Sequence, residues 1–574
     1  MKKTLLTLAW AAAMGGTMNA QVCERYEMSN FHKMSENGNW LVENNNGTLR
    51  IYNRITKAEV YLESLANEYA VGLGNSVLND GTICISYGTK GVALLKDTIV
   101  TNLEVGRPTT PDEVFTMSIA NGATSDGKRI VGVLEAPDAN VESDEIMASP
   151  VLWEKNDKGE YKIKTLPHPD KDFTGRVPQY ITAVDIADDG KTIAGQIQDA
   201  SGFYTTPIIW KENAEGKWTY TTPGTELIYD ASKLSQLPKL PAEPKEPIAE
   251  HYMSKADSVA FVKALEDYNE KYALAQLGEI PWSEVPERPE KSNFISDKSK
   301  ADAYADALME FYEKDEQYWK EFEIFDGILQ SITTGSVYMF NNVGLSRNGK
   351  YMFTSIQKNE LQDPENPWSS KIVTTPYRFT LTDEKDSYES IAGLKDHLGV
   401  SVANNGLLVA LAPPLAYTRT AYMSLPGKPA QTFVDYMASE KQDSVVKFLK
   451  DNFSYTVNVE VGVDSMGAPI YEQVNDSTIT GTLAVNGEGN RFVSFIYDQM
   501  TNPESANYVT YFIDLTKNAG PSAIENVVNK ENAGEVLRRE YYNLQGQRIA
   551  QPTKGIYLEK VITTNGVYTK KVLK

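Results

Sequence analysis

The sequence predicts an all-β-dominated chain: a β-propeller of about seven blades, with a helical-hairpin insertion and a small C-terminal β-module. Three observations lead there. A glycine-bearing polar turn recurs along the chain, an aromatic strand follows it, and one long Pro-rich and helical segment interrupts the recurrence.

In chain order, the first element is an expected signal peptide at residues 1–20. Lys2 and Lys3 give a positive start, Leu5 to Gly16 is an apolar run too short to span a bilayer, and Ala20 supplies a small residue before Gln21. The turns come next. Residues 121–133 read NGATSDGKRIVGV and residues 184–196 read VDIADDGKTIAGQ, with looser copies at 35–42, 78–85, 345–353, 402–410 and 485–494. Their glycines are Gly38, Gly81, Gly127, Gly190, Gly349, Gly406 and Gly489. Gly takes positive φ without steric cost, and Asn or Asp before it tolerates the same region, so each pair should make a tight turn between antiparallel strands. The first three gaps, 43, 46 and 63 residues, are each close to one blade.

Behind each turn runs an aromatic strand: PVLWEK at 150–155 and PIIWKE at 207–212, more loosely TLRIYN at 48–53, PYRFTL at 376–381 and TYFIDL at 510–515. They alternate apolar with polar residues, and Trp153 and Trp210 repeat at equivalent, core positions. A lone small sheet cannot bury both faces, whereas a closed ring buries each sheet against its neighbours and leaves few edges. An open β-solenoid or a pair of β-sandwiches is the rival arrangement. The propeller is expected in two parts, 21–222 and 330–518. The units at 121–155 and 184–212 resemble the extracellular HAF-type repeat, which pairs a polar-Asp-Gly turn and a V-V-G-like strand with an aromatic strand ending in Trp. That resemblance implies propeller-like β repeats on exported proteins and no particular activity.

Residues 223–329 interrupt the pattern. LPKLPAEPKEP at 237–247 carries prolines that block helix, so an extended, solvated connector is expected. Two helices should follow. Ser254 can cap the first, with Phe261, Leu265, Tyr268 and Tyr272 on one stripe; Ser296 or Asp297 can cap the second, with Tyr304, Leu308, Phe311, Tyr318 and Phe322. The two stripes are expected to bury each other, and the arm could bind a partner or cover one face of the ring. A smaller insertion holds a helix at 438–452 and a hairpin at 457–471.

Residues 519–574 read as a separate module of short strands turned at Gly546 and Asn565-Gly566. Tyr542, Asn543, Leu544, Gln545 and Gly546, then Lys554, Gly555 and Tyr557, then Lys570 and Lys571 in a basic-apolar end, resemble the C-terminal sorting domain of type IX secretion cargo. The resemblance implies type IX-like secretion machinery as a partner, and a secreted or outer-surface location on a Gram-negative bacterium.

The formal charge is −21, from 56 basic and 77 acidic residues. That balance repels nucleic acid and anionic lipid, so neither is an expected partner. No stretch is apolar enough for a membrane span. Cys23 and Cys84 are the two cysteines; a bond between them is permitted in an oxidising compartment, and two inert thiols are the other outcome. Four histidines stand apart from one another, without a second His or Cys at metal-ligand spacing, so neither metal nor cofactor is expected. No nucleophile elbow or phosphate-cradling loop is present. Trp282 and Trp368, in PWSE and PWSS, are the candidate binding residues, since an exposed indole stacks on sugar or peptide. The function read from all this is a secreted or cell-surface binding or scaffold protein for a glycan, peptide or partner protein. The alternative is an extracellular glycan hydrolase using Asp or Glu at the ring centre.

Overall fold

All seven turn glycines occupy left-handed backbone, with φ from 66° to 86°. In six of the turns the Asn or Asp before the glycine accepts a backbone N–H two residues on, at 2.7–3.1 Å. Glu488 holds that place in the seventh, where Asn486 accepts from Asn490 and Arg491 instead. This computed structural model describes residues 22–573 apart from 46–47, 64–68, 88–90, 107–117, 136–145, 242, 339–342, 364–365, 413–419, 464–468, 498–507, 518–535, 543–547, 550–555 and 564–565. The expected signal peptide, 1–20, lies outside the described residues.

The turns separate strands that gather into antiparallel sheets of four strands, five in the fifth. The first holds Lys33–Met34, Trp40–Asn45, Thr48–Asn53 and Glu59–Glu63, and the second Tyr69–Val71, Ile83–Tyr87, Val92–Lys96 and Ile99–Asn102. The third (Ile119–Ala123 to Tyr161–Thr165) and fourth (Tyr180–Ile186 to Trp218–Thr221) touch through one parallel bridge, Ala148 to Tyr180. In the fifth, Ser336–Val337 and Val343–Leu345 both pair with Tyr351–Asp363, which continues to Asn366–Thr380 and Ser387–Ser390. The sixth runs from Leu398–Val402 to Gln431–Thr432. The seventh joins Thr482–Val485, Arg491–Tyr497 and Tyr508–Asp514 to the N-terminal strand Cys23–Glu27, with Cys23 opposite Ile513. The five aromatic segments of the sequence are each the third strand of a sheet.

Successive residues of a strand point to opposite faces, and both faces are apolar, so each sheet must be covered twice. Ile130 and Trp153 pack toward the second sheet while Val131 and Leu152 pack toward the fourth. Ile193 and Trp210 face back to the third sheet, and Ala194 and Ile209 forward to the fifth. The same alternation joins fifth to sixth, sixth to seventh, and first to second. The circle closes where Phe31 and Leu41 of the first sheet meet Val493 and Phe512 of the seventh. There Arg54 lies 3.6 Å from the Phe512 ring centroid and donates to Glu24 of the closing strand at 2.6 Å. The fold is a β-propeller.

The strand glycines of the repeat have a separate cause. The innermost strands of the third and fourth sheets shift register at Ala120/Gly122 and Ala183/Asp185. The carbonyl oxygens of Ile119 and Thr182 come 2.1 and 2.0 Å from where a Cβ on Gly132 or Gly195 would sit. Only glycine fits opposite such a bulge.

Two helices form the long insertion: α1 (Lys255–Gln276), capped by a reciprocal Ser254–Asp257 pair, and α2 (Lys298–Ile332), capped by Asp297. Their stripes are covered differently from the expectation. Phe261 and Tyr272 of α1 meet Phe294 and Trp282, both on the connector between the helices. The end of α2 buries Phe325, Leu329 and Ile332 against Phe173, Tyr204, Leu234, Leu237 and Leu240. The Pro-rich segment is thus packed at its start, not solvated throughout. An extended three-residue repeat puts Leu237 and Leu240 on one side. The single helix expected at 438–452 is two, α3 (Phe433–Ser439) and α4 (Asp443–Phe453), because the chain reverses at Lys441 with φ 57°. Both pack on the seventh sheet through Phe433, Leu449 and Phe453. The hairpin that follows is Ser454–Val463 with Pro469–Thr478.

The C-terminal module is a sheet ordered Arg548–Ile549, Val536–Tyr542, Ile556–Thr563, Gly566–Leu573. Cys23 and Cys84 are free, buried in different clusters, and burial pushes both thiols up to about 12.

Candidate functional site

Each innermost strand delivers its turn to one rim of the central channel, so the residue after the turn's opening position meets its neighbours there. These residues are Glu36, Asn79, Ser125, Asp188, Arg347, Asn404 and Gly487. Turn is tied to turn: Asn37 N–H donates to Asn79 at 2.9 Å, Ser125 to Asp188 at 2.7 Å, and Asp188 to the Arg347 carbonyl at 2.7 Å. Asn348 donates to Asn404 at 2.8 Å, Asn404 to the Gly487 carbonyl at 2.7 Å, and Gly487 to Glu36 at 2.7 Å.

Arg347 reaches across this rim. Its guanidinium donates to the carbonyls of Ile186 at 2.9 Å and Ala123 at 3.0 Å and to the Asp188 carboxylate, and it lies 3.7 Å from both Asp185 and Glu36. Gly487 lets it pass, since a Cβ there would sit 2.5 Å from the arginine side chain. Burial opposes its charge, but Asp185, Glu36 and Asp188 hold it above the usual arginine value. Its Nε has no hydrogen-bond partner among the described residues.

Asp185 reaches the axis because the strand bulges beside it. It accepts from Asn75 Nδ2 at 3.0 Å and from the Leu345 N–H at 3.0 Å. Lys33 donates to the carbonyls of Leu73 at 2.7 Å and Gly74 at 3.0 Å, and burial, opposed by Asp185, brings its ammonium down to about 8. Burial, aided by the charge of Lys33, brings the neighbouring His32 down to about 4. Burial pushes the Glu36 carboxyl up, against the pull of Arg347 and the Gly487 N–H.

His32, Lys33, Glu36, Asp185 and Arg347 line a cavity of about 260 Å³ on the channel axis, shared with apolar Met34, Leu345, Phe353 and Val402. The cavity offers two cations, Lys33 and Arg347, and two carboxylates, Glu36 and Asp185, while Asp188 braces the same guanidinium from outside it. Among the described residues no cluster of His, Cys, Asp or Glu could hold a metal ion. No helix among them is long and apolar enough to cross a membrane.

The residues singled out from the sequence lie elsewhere. Trp282 opens a short helical turn in the α1–α2 connector, 56% exposed, its ring edge-on to Tyr272 at 5.4 Å. Trp368 is on the long strand Asn366–Thr380, and its side chain is outside the described residues. Tyr542, Tyr557, Lys570 and Lys571 are on strands of the C-terminal sheet, with Glu559 opposite Lys570 and Leu558 opposite Lys571. Asn543, Leu544, Gln545, Gly546, Lys554 and Gly555 lie outside the described residues. The sequence reading placed Asp or Glu at the ring centre only in its hydrolase alternative, and named no axial residue as a binding residue. The available signal was the second turn position, where the seven copies differ most and where an arginine appears once.

No protein-family model matches the chain, and no curated protein matches it. Among solved structures it is similar to hydrazine synthase of Kuenenia stuttgartiensis, at 10% identity and a TM-score of 0.39, over 88% of this chain and 99% of that one. It is also similar to the tricorn protease, at 9% identity and 0.28, over 93% of this chain and 46% of the other. A third likeness is to prolyl oligopeptidase B of Galerina marginata, at 8% and 0.33, over 94% and 55%. The chain spans about half the length of these last two. Likenesses this distant carry no argument about what the chain binds or does.

Proposed function

We propose that this is a secreted or cell-surface propeller that works as a binding or scaffold protein. A glycan, peptide or partner protein would be its ligand, and a type IX-like route its export. The observation that supports binding over catalysis is the Arg347 brace: the axial carboxylates a hydrolase would use are tied to one buried guanidinium. A glycan array and a peptide pull-down with the chain from residue 21 onward test the reading. A retained ligand with no polymer turnover is expected, and turnover abolished by Glu36→Gln would replace it with the hydrolase. For export, the terminal segment resembling a sorting domain supports the route. Deleting residues 520–574 should hold the protein in the periplasm, and its unchanged appearance outside the cell would remove that part.

A further inference from the structure

Residues 241–332 carry 21 Asp and Glu against 10 Lys and Arg, so about half of the chain's net −21 sits on this insertion. The same segment is unusually apolar at its surface. Ahead of Phe325, α2 buries Tyr318 alone, leaving about 27 residues, or roughly 40 Å of helix, largely in solvent. On it Met309, Tyr312 and Trp319 are 66%, 58% and 52% exposed. At 3.6 residues per turn these three fall within about 80° of one another. Glu313, Glu316 and Glu323 lie on the same side by the same spacing, and Lys320 beside them is already held by Glu316 at 2.6 Å. Trp319 is also fixed in place: its Nε1 donates to Asp315 at 3.1 Å, and its ring stands edge-on to Tyr318 and Phe322.

A half-exposed indole held rigid loses little entropy on contact, the property of an anchor residue at an interface. An aromatic face ringed by carboxylates has a matching partner chemistry. Arg guanidinium planes stack on Trp and Tyr while their charge meets the acids, and neighbouring apolar side chains cover Met309. We propose that this face of α2 docks a basic amphipathic segment of a partner protein. The site narrows the binding reading above to one ligand class at one place.

The test uses the full chain and two labelled helical peptides, one with leucines on one face and arginines on the other, the second with every arginine replaced by glutamate. Fluorescence anisotropy at low and high salt reads the affinity. Saturable, salt-sensitive binding of the basic peptide alone is expected, weakened about tenfold or more by Trp319→Ala and by the triple change Glu313→Lys, Glu316→Lys, Glu323→Lys. Circular dichroism should show α2 intact in both variants. The proposal is overturned by equal binding of the acidic peptide, by unaltered affinity of the Trp319→Ala chain, or by no saturable binding. It is overturned as well if oligosaccharides bind this face and the peptide does not. Polymer turnover by the propeller would sink the binding reading and leave the peptide result standing, so the two failures are separable.

Discussion

A single side chain decides the electrostatics of the channel. Removing the charge of Arg347 leaves Glu36, Asp185 and Asp188 crowded without their common partner, and stranding buried charges costs about 3–5 kcal/mol. Urea denaturation of Arg347→Met should show a loss of that size, partly recovered by adding Asp185→Asn. A loss no larger than that of an ordinary surface change would show the brace to be dispensable. His32 gives a second reading at this scale. Its folded ring is held near 4 against an ordinary 6.5, so between those values the unfolded chain binds the extra proton. The histidine's contribution to stability should therefore fall as pH drops through 6.5 toward 4, by at most about 3 kcal/mol, and stay level above. Glu24, with Arg54 and Tyr26 outweighing burial, is held to about 2 and contributes its own loss only below about 4.5. Glu36, raised by burial, works in the opposite sense. Comparing the chain with His32→Gln isolates the histidine, and parallel acid limbs would refute the assignment. None of this was legible in sequence. Turn chemistry fixes the Asx and Gly positions, whereas the residue between opener and Asx acquires meaning only when seven turns meet.

Elements were far more readable. A left-handed glycine after Asn or Asp is a local requirement, so the turns could be found without knowing the fold, and the Trp strands followed by alternation. What escaped was decided by neighbours. The stripe of α1 looked ready for α2, but the linking residues supplied Trp282 and Phe294 at closer reach. The glycines of IVGV and IAGQ were part of a pattern whose cause, a bulge on the strand beside them, is a pairing property. Glycine substitutions separate the two causes. Gly195→Ala drives a Cβ into a carbonyl and the Trp210 ring, at 2.0 and 2.7 Å, and should cost about 3 kcal/mol or more. Gly278→Ala, behind α1, meets nothing within 4 Å and bears only its φ of 74°, a cost of about 1–2 kcal/mol. Thermal denaturation ranks them; a reversed order would mean that the bulge yields freely.

For the whole molecule the decisive contact is the one between the strands at 23–27 and 508–514. Deleting residues 22–27 bares a long edge on Tyr508–Asp514 and opens the cluster of Phe31, Leu41 and Phe512. The shortened chain should melt earlier and self-associate on a sizing column, and a peptide of residues 22–30 added in trans should reverse both. Unaltered melting would show the circle to hold without its clasp. Cys23 and its partner Ile513 stand some 490 positions apart, and drawing such distant points together costs about 5 kcal/mol in chain entropy before any contact repays it. Folding of the other sheets shortens that span, so closure last is the expected order. Once that closure is made, the first and last strands of the ring share a single lock.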